Sequence, residues 1–305
     1  VGNPNNSADT PATNCYAANC GSVDHSYSIS KYEVTNAQYA EFLNAVDPDG
    51  GNSLALYNPS MDGDTTFGGI SFAAGNDPGA KYVVKPGFET KPVTYVSFYD
   101  ALRFANWLNN GQGSGDTESG AYTLLGGDDI PSNGLTVMRN AGADVVLTSE
   151  NEWYKAAYYS PAGFYFGYPT GTDILPVCVA PASDAGNSAN CSGAGDVLTD
   201  VGAYLQSESP YGTYDQGGNV AEWNESMVVG TRRGFRGGGY GSGASDLFVT
   251  NPYDAVPTSE YGFRGFRVAT LVPEPGSGLL GMTAVLGLAL LRRRSARTNG
   301  MRRPV

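Results

Sequence analysis

The chain has a single histidine, His25, among its 305 residues. One imidazole excludes a multi-histidine iron centre, which needs several neutral imidazole ligands. Only four cysteines occur, and residues 192–305 contain none, so the paired thiolates that copper(I) requires are missing there. Only 16% of the residues are charged, whereas 42 are glycine and 20 are tyrosine. This many aromatic residues indicate a folded, loop-rich chain and not a disordered one.

Acidic residues dominate the body of the chain. Residues 1–291 carry 12 basic and 30 acidic side chains, a net charge of −18, and six arginines follow Leu291. A surface this acidic repels phosphate backbones and anionic polymers. The arginine- and glycine-rich stretch at 232–239 has the composition of an RNA-binding run, but it is isolated within an acidic body. We therefore expect no nucleic-acid partner.

The cysteines fall into two local pairs, Cys15 with Cys20 and Cys178 with Cys191. An even number is typical of disulfides formed in an oxidising compartment. Other connectivities are possible, but short separations close with little loss of chain entropy, so we favour the two local bonds. Neither pair has the two-residue spacing of a zinc knuckle.

Three helices are predicted, over residues 35–46, from residue 97 to residues 109–111, and from Thr148 or Ser149 to residue 160. Apolar residues recur with helical spacing in each. Each begins with a capping pair: Thr35 with Gln38, Ser97 with Asp100, and Ser149 with Glu152.

The remaining signals are short. Strands are predicted at residues 27–29, 93–96 and 264–269, and loops rich in glycine, asparagine, aspartate and serine at 47–80, 109–144 and 180–196. Ordinary domains rarely contain loops this long.

Three glycine-rich blocks identify a family. They read Tyr-Asp-Gln-Gly-Gly-Asn-Val-Ala-Glu-Trp at 214–223, Arg-Gly-Gly-Gly-Tyr at 236–240 and Gly-Phe-Arg-Val-Ala at 265–269. With earlier blocks at 30–36, 92–97 and 147–153, their order resembles the formylglycine-generating enzyme, or sulfatase-modifying factor, family. The resemblance covers residues 23–270 as one domain and leaves residues 1–22 as an N-terminal segment.

The resemblance implies an irregular α+β fold, a C-type-lectin-like variant with low secondary-structure content. It also implies where the chemistry would be. Family enzymes bind copper(I) with two cysteines shortly after the second block, and the corresponding positions here are Ser242 and Leu247. A hydroxyl and an aliphatic side chain cannot replace two thiolates, so we expect no copper and no formylglycine formation.

Calcium is the cofactor that the resemblance favours. One ion would be bound by backbone carbonyls and one carboxylate, from Gly217, Gly218, Val220 and Glu222. A second would map to Asn190, the Cys191 carbonyl, Asp196 and the Leu198 carbonyl. The alternative for Glu222 is a buried ion pair with one of three arginines: Arg232, Arg233 or Arg236.

The C-terminal segment, residues 271–305, resembles a PEP-CTERM sorting signal. A Val-Pro-Glu-Pro motif at 272–275 precedes an apolar segment at 276–291 and a basic tail at 292–305. The alternative is a buried core helix, but an arginine cluster at its end argues against that reading. The resemblance implies a Gram-negative bacterium, transient anchoring in the inner membrane and cleavage by an exosortase. Because Val1 is not a start methionine, we expect that a signal peptide was removed or that the chain is a fragment.

Taken together, these features predict an exported, non-catalytic domain that acts as a calcium-stabilised binding or matrix module. It would lie in the periplasm, the outer envelope or the extracellular matrix, with a polysaccharide or peptide as its possible ligand. The competing hypothesis is an enzyme with a copper-independent activity on a peptide or saccharide. Trp107, Trp153 and Trp223 fall in family blocks and are expected in the core, not in a sugar-binding platform.

Overall fold

A computed structural model describes residues 1–10, 15–195, 197–228 and 230–272. Val1–Leu271 form one compact unit, and every helix and strand given below belongs to it. The predicted sorting signal therefore lies almost wholly outside the described residues. Within the described part of the chain, no helix is long and apolar enough to cross a membrane.

The three predicted helices are confirmed, each with its capping box. They are α1 (Asn36–Val46), α3 (Phe98–Asn109) and α4 (Glu150–Tyr158). The side chain of each cap, Thr35, Ser97 or Ser149, accepts a hydrogen bond from the backbone N–H three residues later. A short fourth helix, α2 (Ser60–Gly63), lies in a segment predicted to be loop.

The described residues form thirteen short strands. They are β1 (Tyr27–Ile29), β2 (Ile70–Phe72), β3 (Tyr82–Val84), β4 (Val145–Leu147), β5 (Tyr159–Ser160), β6 (Phe164–Tyr165), β7 (Val177–Cys178), β8 (Ser188–Ala189), β9 (Ala221–Val228), β10 (Arg232–Arg236), β11 (Tyr253–Ala255), β12 (Arg264–Phe266) and β13 (Val268–Leu271). One sheet has the order β1-β13-β4 and another β11-β10-β9-β12, with two-stranded pairs β2-β3, β5-β6 and β7-β8.

The predicted strand at 264–269 is two strands that serve different sheets. β12 runs parallel to β9, whereas β13 pairs antiparallel with β1 and β4. Arg267 lies between them, with its side chain fully buried. The chain therefore crosses from one sheet to the other at this arginine.

Two other strand expectations had different outcomes. The strand at 27–29 is confirmed as β1. The predicted strand at 93–96 is wrong, because these residues form no strand and the neighbouring bridge joins Thr35 to Pro92. Tyr95 has a φ of 58°, in the left-handed region, which ends the extended conformation.

Asparagine side chains order the long loops. Asn106 is one example: its Nδ2 donates to the Thr117 and Tyr122 carbonyls at 2.7 and 3.0 Å, and its Oδ1 accepts from the Tyr122 N–H at 2.7 Å. Such bonds satisfy backbone groups that have no strand partner. The loops can therefore be well ordered with little regular secondary structure.

The core is aromatic and lies around α1, α3 and the strand ends. The Phe104 ring centroid lies 5.4 Å from that of Phe42, 5.5 Å from Trp107 and 5.3 Å from Phe266. The expectation for the tryptophans is confirmed, since Trp107, Trp153 and Trp223 are each at most 2% exposed.

Both local disulfides are confirmed. Cys15 bonds to Cys20 and Cys178 to Cys191, with Cα separations of 5.9 and 4.9 Å. The second bond ties β7 to the segment that follows β8.

Candidate functional site

Backbone hydrogen bonds hold the turn before β9 against two other segments of the chain. Asp215 and Asn219 adopt left-handed φ values of 58° and 56°. The Gly218 N–H donates to the Gly237 carbonyl at 2.9 Å, and the Asn219 N–H donates to the Asn190 carbonyl at 2.9 Å. A Cβ on Gly218 would lie 2.3 Å from the Asn190 carbonyl oxygen, so only glycine permits this approach. The turn thereby fixes the start of β9.

Glu222, at the start of β9, is bound by two donor residues. Its Oε1 accepts from Arg267 Nη2 at 2.6 Å, and its Oε2 accepts from Arg267 Nε at 2.6 Å. Trp153 Nε1 also donates to Oε2, at 2.7 Å. All three side chains are fully buried. A calcium ion bound through Glu222 would compete with a guanidinium for the same carboxylate, so calcium at this position stays a prediction.

The partner of Glu222 is an arginine that the sequence alternative did not name. The three arginines that it did name have other partners: Arg236 pairs with Glu150, Arg232 with Asp254, and Arg233 with backbone carbonyl groups. Because Arg267 lies between β12 and β13, its ion pair with Glu222 links the β12–β13 connection to β9.

Two further carboxylates are buried beside this pair. Glu33 Oε1 accepts from Asn219 Nδ2 at 3.1 Å, whereas Glu33 Oε2 has no hydrogen-bond partner within the described chain. Burial raises the pKa of Asp215 to about 6, and burial followed by the charge of Asp215 raises the pKa of Glu33. Positive charge near this turn stabilises it, and Arg267 supplies one such charge.

The second predicted calcium site contains an oxygen that suits a cation. Asn190 is 1% exposed, and its Oδ1 has no hydrogen-bond partner among the described residues. Its Nδ2 is used, donating to the Val197 carbonyl at 3.0 Å and to Asn219 Oδ1 at 3.1 Å. The Leu198 carbonyl accepts from Lys91 Nζ at 2.5 Å, so an ammonium group already lies near one predicted ligand. Asp196 lies outside the described residues.

A partly exposed cluster of aromatic rings lies next to the second glycine block. We call it the aromatic patch, and its members are Phe67, Tyr95, Tyr240, Tyr261 and Phe263. Phe67 stacks on Tyr240 with ring centroids 4.6 Å apart, and Tyr261 stacks on Phe263 at 5.3 Å. Tyr261 is 50% exposed and Phe263 is 40% exposed.

Backbone contacts hold the two stacks side by side. The Tyr95 N–H donates to the Tyr261 carbonyl at 3.1 Å. A Cβ on Gly262 would lie 2.8 Å from the Tyr95 hydroxyl and 3.0 Å from Phe67 Cβ, so this glycine lets the stacks approach. Arg264 lies behind the Tyr261 and Phe263 rings, 5.4 and 5.6 Å from their centroids, and is almost fully buried.

The family follows from a match over nearly all of the described domain. The sequence profile of the sulfatase-modifying factor enzyme 1-like domain matches residues 5–272. The chain belongs to this family. No significant match to this chain was found among curated proteins.

Solved structures with the same sulfatase-modifying factor fold are similar in outline. CarF is 21% identical, with 81% of this chain and 87% of that chain covered and a TM-score of 0.53. Treponema denticola variable protein 1 is 18% identical, with 88% and 94% covered and a TM-score of 0.51. At these identities the likeness shows the fold, which confirms the expected family architecture with its low secondary-structure content.

Ser242 and Leu247, which the sequence resemblance predicts at the family's thiol positions, have packing roles. Ser242 Oγ accepts from the Gly239 N–H at 3.0 Å. Leu247 is 1% exposed and packs in a small apolar cluster with Tyr168, Ala189 and Cys191. All four cysteines of this family member are in disulfides, so none is a free thiol near these positions.

Sequence reasoning missed the aromatic patch and the Glu222 partner. Tyr261 and Phe263 lie in a turn, in which the Arg264 N–H donates to the Tyr261 carbonyl at 3.2 Å, and no periodic pattern marked their rings as exposed. Nothing local linked these rings to Phe67 or Tyr240, which come from other loops.

Proposed function

We propose that this family member is an exported, non-catalytic binding module of the bacterial envelope that binds a neutral polysaccharide on its aromatic patch. The observation that carries the proposal is the patch itself, in which rings from four separate segments form a contiguous, partly exposed surface. Contiguous exposed apolar surface marks interaction sites in soluble domains.

The chemistry of the patch favours a sugar. Aromatic rings offer flat apolar faces with a polar tip, which suits a ligand with apolar C–H faces and hydroxyl groups. Tyr240 is partly buried and Tyr261 is exposed, so their hydroxyls can reach sugar hydroxyls. The net charge of −18 on residues 1–291 disfavours anionic polymers, so the polysaccharide is neutral.

Two observations support a non-catalytic role outside the cytoplasm. Ser242 and Leu247 offer no soft ligand for copper(I). The two disulfides suit an oxidising compartment. With the sorting motif at 272–275, they support export, exosortase cleavage and a final position in the periplasm, outer envelope or extracellular matrix, where calcium would stabilise the fold.

Affinity for polysaccharides tests this function. The full chain should be retarded in gels containing a neutral glucan and not in gels containing alginate. Tyr240→Ala and Tyr261→Ala should each weaken glucan binding about tenfold, since an aromatic contact contributes about 1 kcal/mol beyond the area it buries. Phe164→Ala is the matched control, because Phe164 is 48% exposed, close to the 50% of Tyr261, but packs on Phe166 beside the β5-β6 hairpin. Equal binding by all three variants, or no retardation by any neutral glucan, would refute the proposal.

A further inference from the structure

A cavity of about 560 Å³ opens beside β9 and β10, lined by residues other than those of the aromatic patch. Its wall is mostly apolar and includes Phe98, Leu135, Val137, Met138 and Met227. Leu135 is 45% exposed and Met138 is 79% exposed, so the apolar wall reaches the surface. Its volume is typical of small-molecule sites.

Three charged side chains also line this cavity: Arg139, Glu225 and Arg233. Arg139 Nε and Glu225 Oε1 form an ion pair at 2.7 Å. Arg233 has no carboxylate within salt-bridge distance among the described residues. Arg139 is also bound by the buried Glu152, so Arg233 is the cation of the lining that has no carboxylate partner among the described residues.

Arg233 is buried with part of its hydrogen-bonding capacity unused. It is 3% exposed, and its guanidinium lies 4.5 Å from the centroid of the Phe98 ring. Nη1 donates to the Glu225 carbonyl at 2.8 Å and Nη2 to the Gly134 carbonyl at 3.1 Å, whereas Nε has no partner in the described structure. A buried guanidinium without a counter-charge is costly, and an anion placed beside it recovers part of that cost.

We propose that this cavity binds a fatty carboxylate, with the alkyl chain against the Met138 and Met227 wall and the carboxylate drawn towards Arg233. The apolar wall gives affinity that grows with chain length, because each buried methylene adds to the hydrophobic contribution. The uncompensated guanidinium selects the anionic head, since charge attraction is strongest where water is excluded. Arg139 is held by two carboxylates, Glu225 and Glu152, so Arg233 is the guanidinium that sets this preference.

Two of the five methionines line the cavity, which gives a local readout. The full chain, labelled with ¹³C at the methionine methyl groups, is titrated at pH 7 with octanoate and with 1-octanol while NMR spectra are recorded. Octanoate should shift the Met138 and Met227 methyl signals and leave that of Met61, which is buried in the core, unchanged. Octanoate should bind at least about tenfold more tightly than 1-octanol. Equal affinities would refute the role of Arg233, and unchanged Met138 and Met227 signals would refute the site.

Substitutions at the mouth of the cavity test the charge preference without disturbing the core. Met138→Glu should bind octanoate about threefold or more weakly than the matched Met138→Gln, whereas the two variants should bind 1-octanol equally. Arg233→Met should abolish the preference for octanoate. If Arg233→Met does not fold, the two Met138 variants still test the charge preference, because equal octanoate affinity in both would overturn the proposal. The cavity shares no residue with the aromatic patch. Loss of glucan binding and loss of octanoate binding can therefore be measured separately, and either proposal can fail without the other.

Discussion

Arg267 and Glu222 form a bidentate ion pair in which neither side chain is exposed to solvent. Each carboxylate oxygen accepts one guanidinium N–H at 2.6 Å, and Trp153 adds a third donor. The three residues come from β9, from the crossing between β12 and β13, and from α4. One buried carboxylate therefore joins two strands of one sheet, the entry to the other sheet and a helix.

Removing the charge of Glu222 should be strongly destabilising. Glu222→Gln leaves the Arg267 guanidinium buried without its ion-pair partner, which costs about 3–5 kcal/mol of unfolding free energy. Denaturant unfolding monitored by tryptophan fluorescence measures this loss.

The matched control for this pair is an exposed one. Arg232 and Asp254 are 44% and 27% exposed, so Asp254→Asn should cost less than about 1 kcal/mol. Replacing both members, as Glu222→Gln with Arg267→Met, should recover part of the loss. Similar costs for Glu222→Gln and Asp254→Asn would contradict the importance assigned to the buried pair.

Calcium should raise the melting temperature through the Asn190 site. An ion at a hundredfold excess over its Kd adds about 2.7 kcal/mol, and each kcal/mol raises the midpoint by about 2–4 °C. Because Asn190 Oδ1 has no partner among the described residues and the oxygens of Glu222 are bound to protein donors, we expect Asp196→Asn to abolish the response.

Differential scanning calorimetry with calcium and with chelator checks this expectation in the parent and in both variants. Glu222→Gln should lower the melting temperature but keep the calcium-dependent increment. If chelator leaves the parent unchanged, neither predicted calcium site exists. If Glu222→Gln loses the increment and Asp196→Asn keeps it, the ion is bound at the first site.

Stability should fall as pH rises, through Glu260. Burial, and then the nearby carboxylate of Asp100, raise the pKa of Glu260 to about 8, above its ordinary value of 4.5. The folded state therefore holds a proton that the unfolded state releases, so this contribution is complete below pH 4.5 and is lost as pH rises through about 8. Glu260→Gln should be more stable relative to the parent at pH 9 than at pH 5.

Urea unfolding at pH 5, 7 and 9 measures this effect. The Gln side chain can still accept a hydrogen bond from Asn58, as Glu260 does. Glu41→Gln, on the exposed face of α1, is the control and should follow the parent at each pH. If the difference in unfolding free energy between Glu260→Gln and the parent is the same at all three pH values, the pKa of Glu260 is not raised.

The chain should not convert cysteine to formylglycine. Incubation with copper(I), oxygen and a cysteine-containing sulfatase peptide should leave the peptide mass unchanged, because Ser242 and Leu247 are predicted at the positions of the two thiols. As a control, the same assay with Ser242→Cys/Leu247→Cys reports whether the missing thiols are the sole defect. Turnover by the parent would mean that another part of the chain supplies the copper ligands.

Local features were predictable because their signals lie within a few residues. A capping box, such as Ser97 with Asp100, is formed by two side chains one turn apart, so sequence specifies it directly. The strand at 93–96 failed for the opposite reason. Its apolar pattern suited a strand, but the left-handed backbone at Tyr95 is set by contacts with distant loops.

The sequence by itself determined the family, the three capped helices and the local disulfides, since each depends on residue identity or close spacing. Only the tertiary structure decided that Arg267, 45 residues from Glu222, is its partner. It also decided that Phe67, Tyr95 and Tyr240 meet in one patch. Such contacts depend on the paths of long loops, which are set by many side chain to backbone bonds and have no repeating pattern that could be read along the chain.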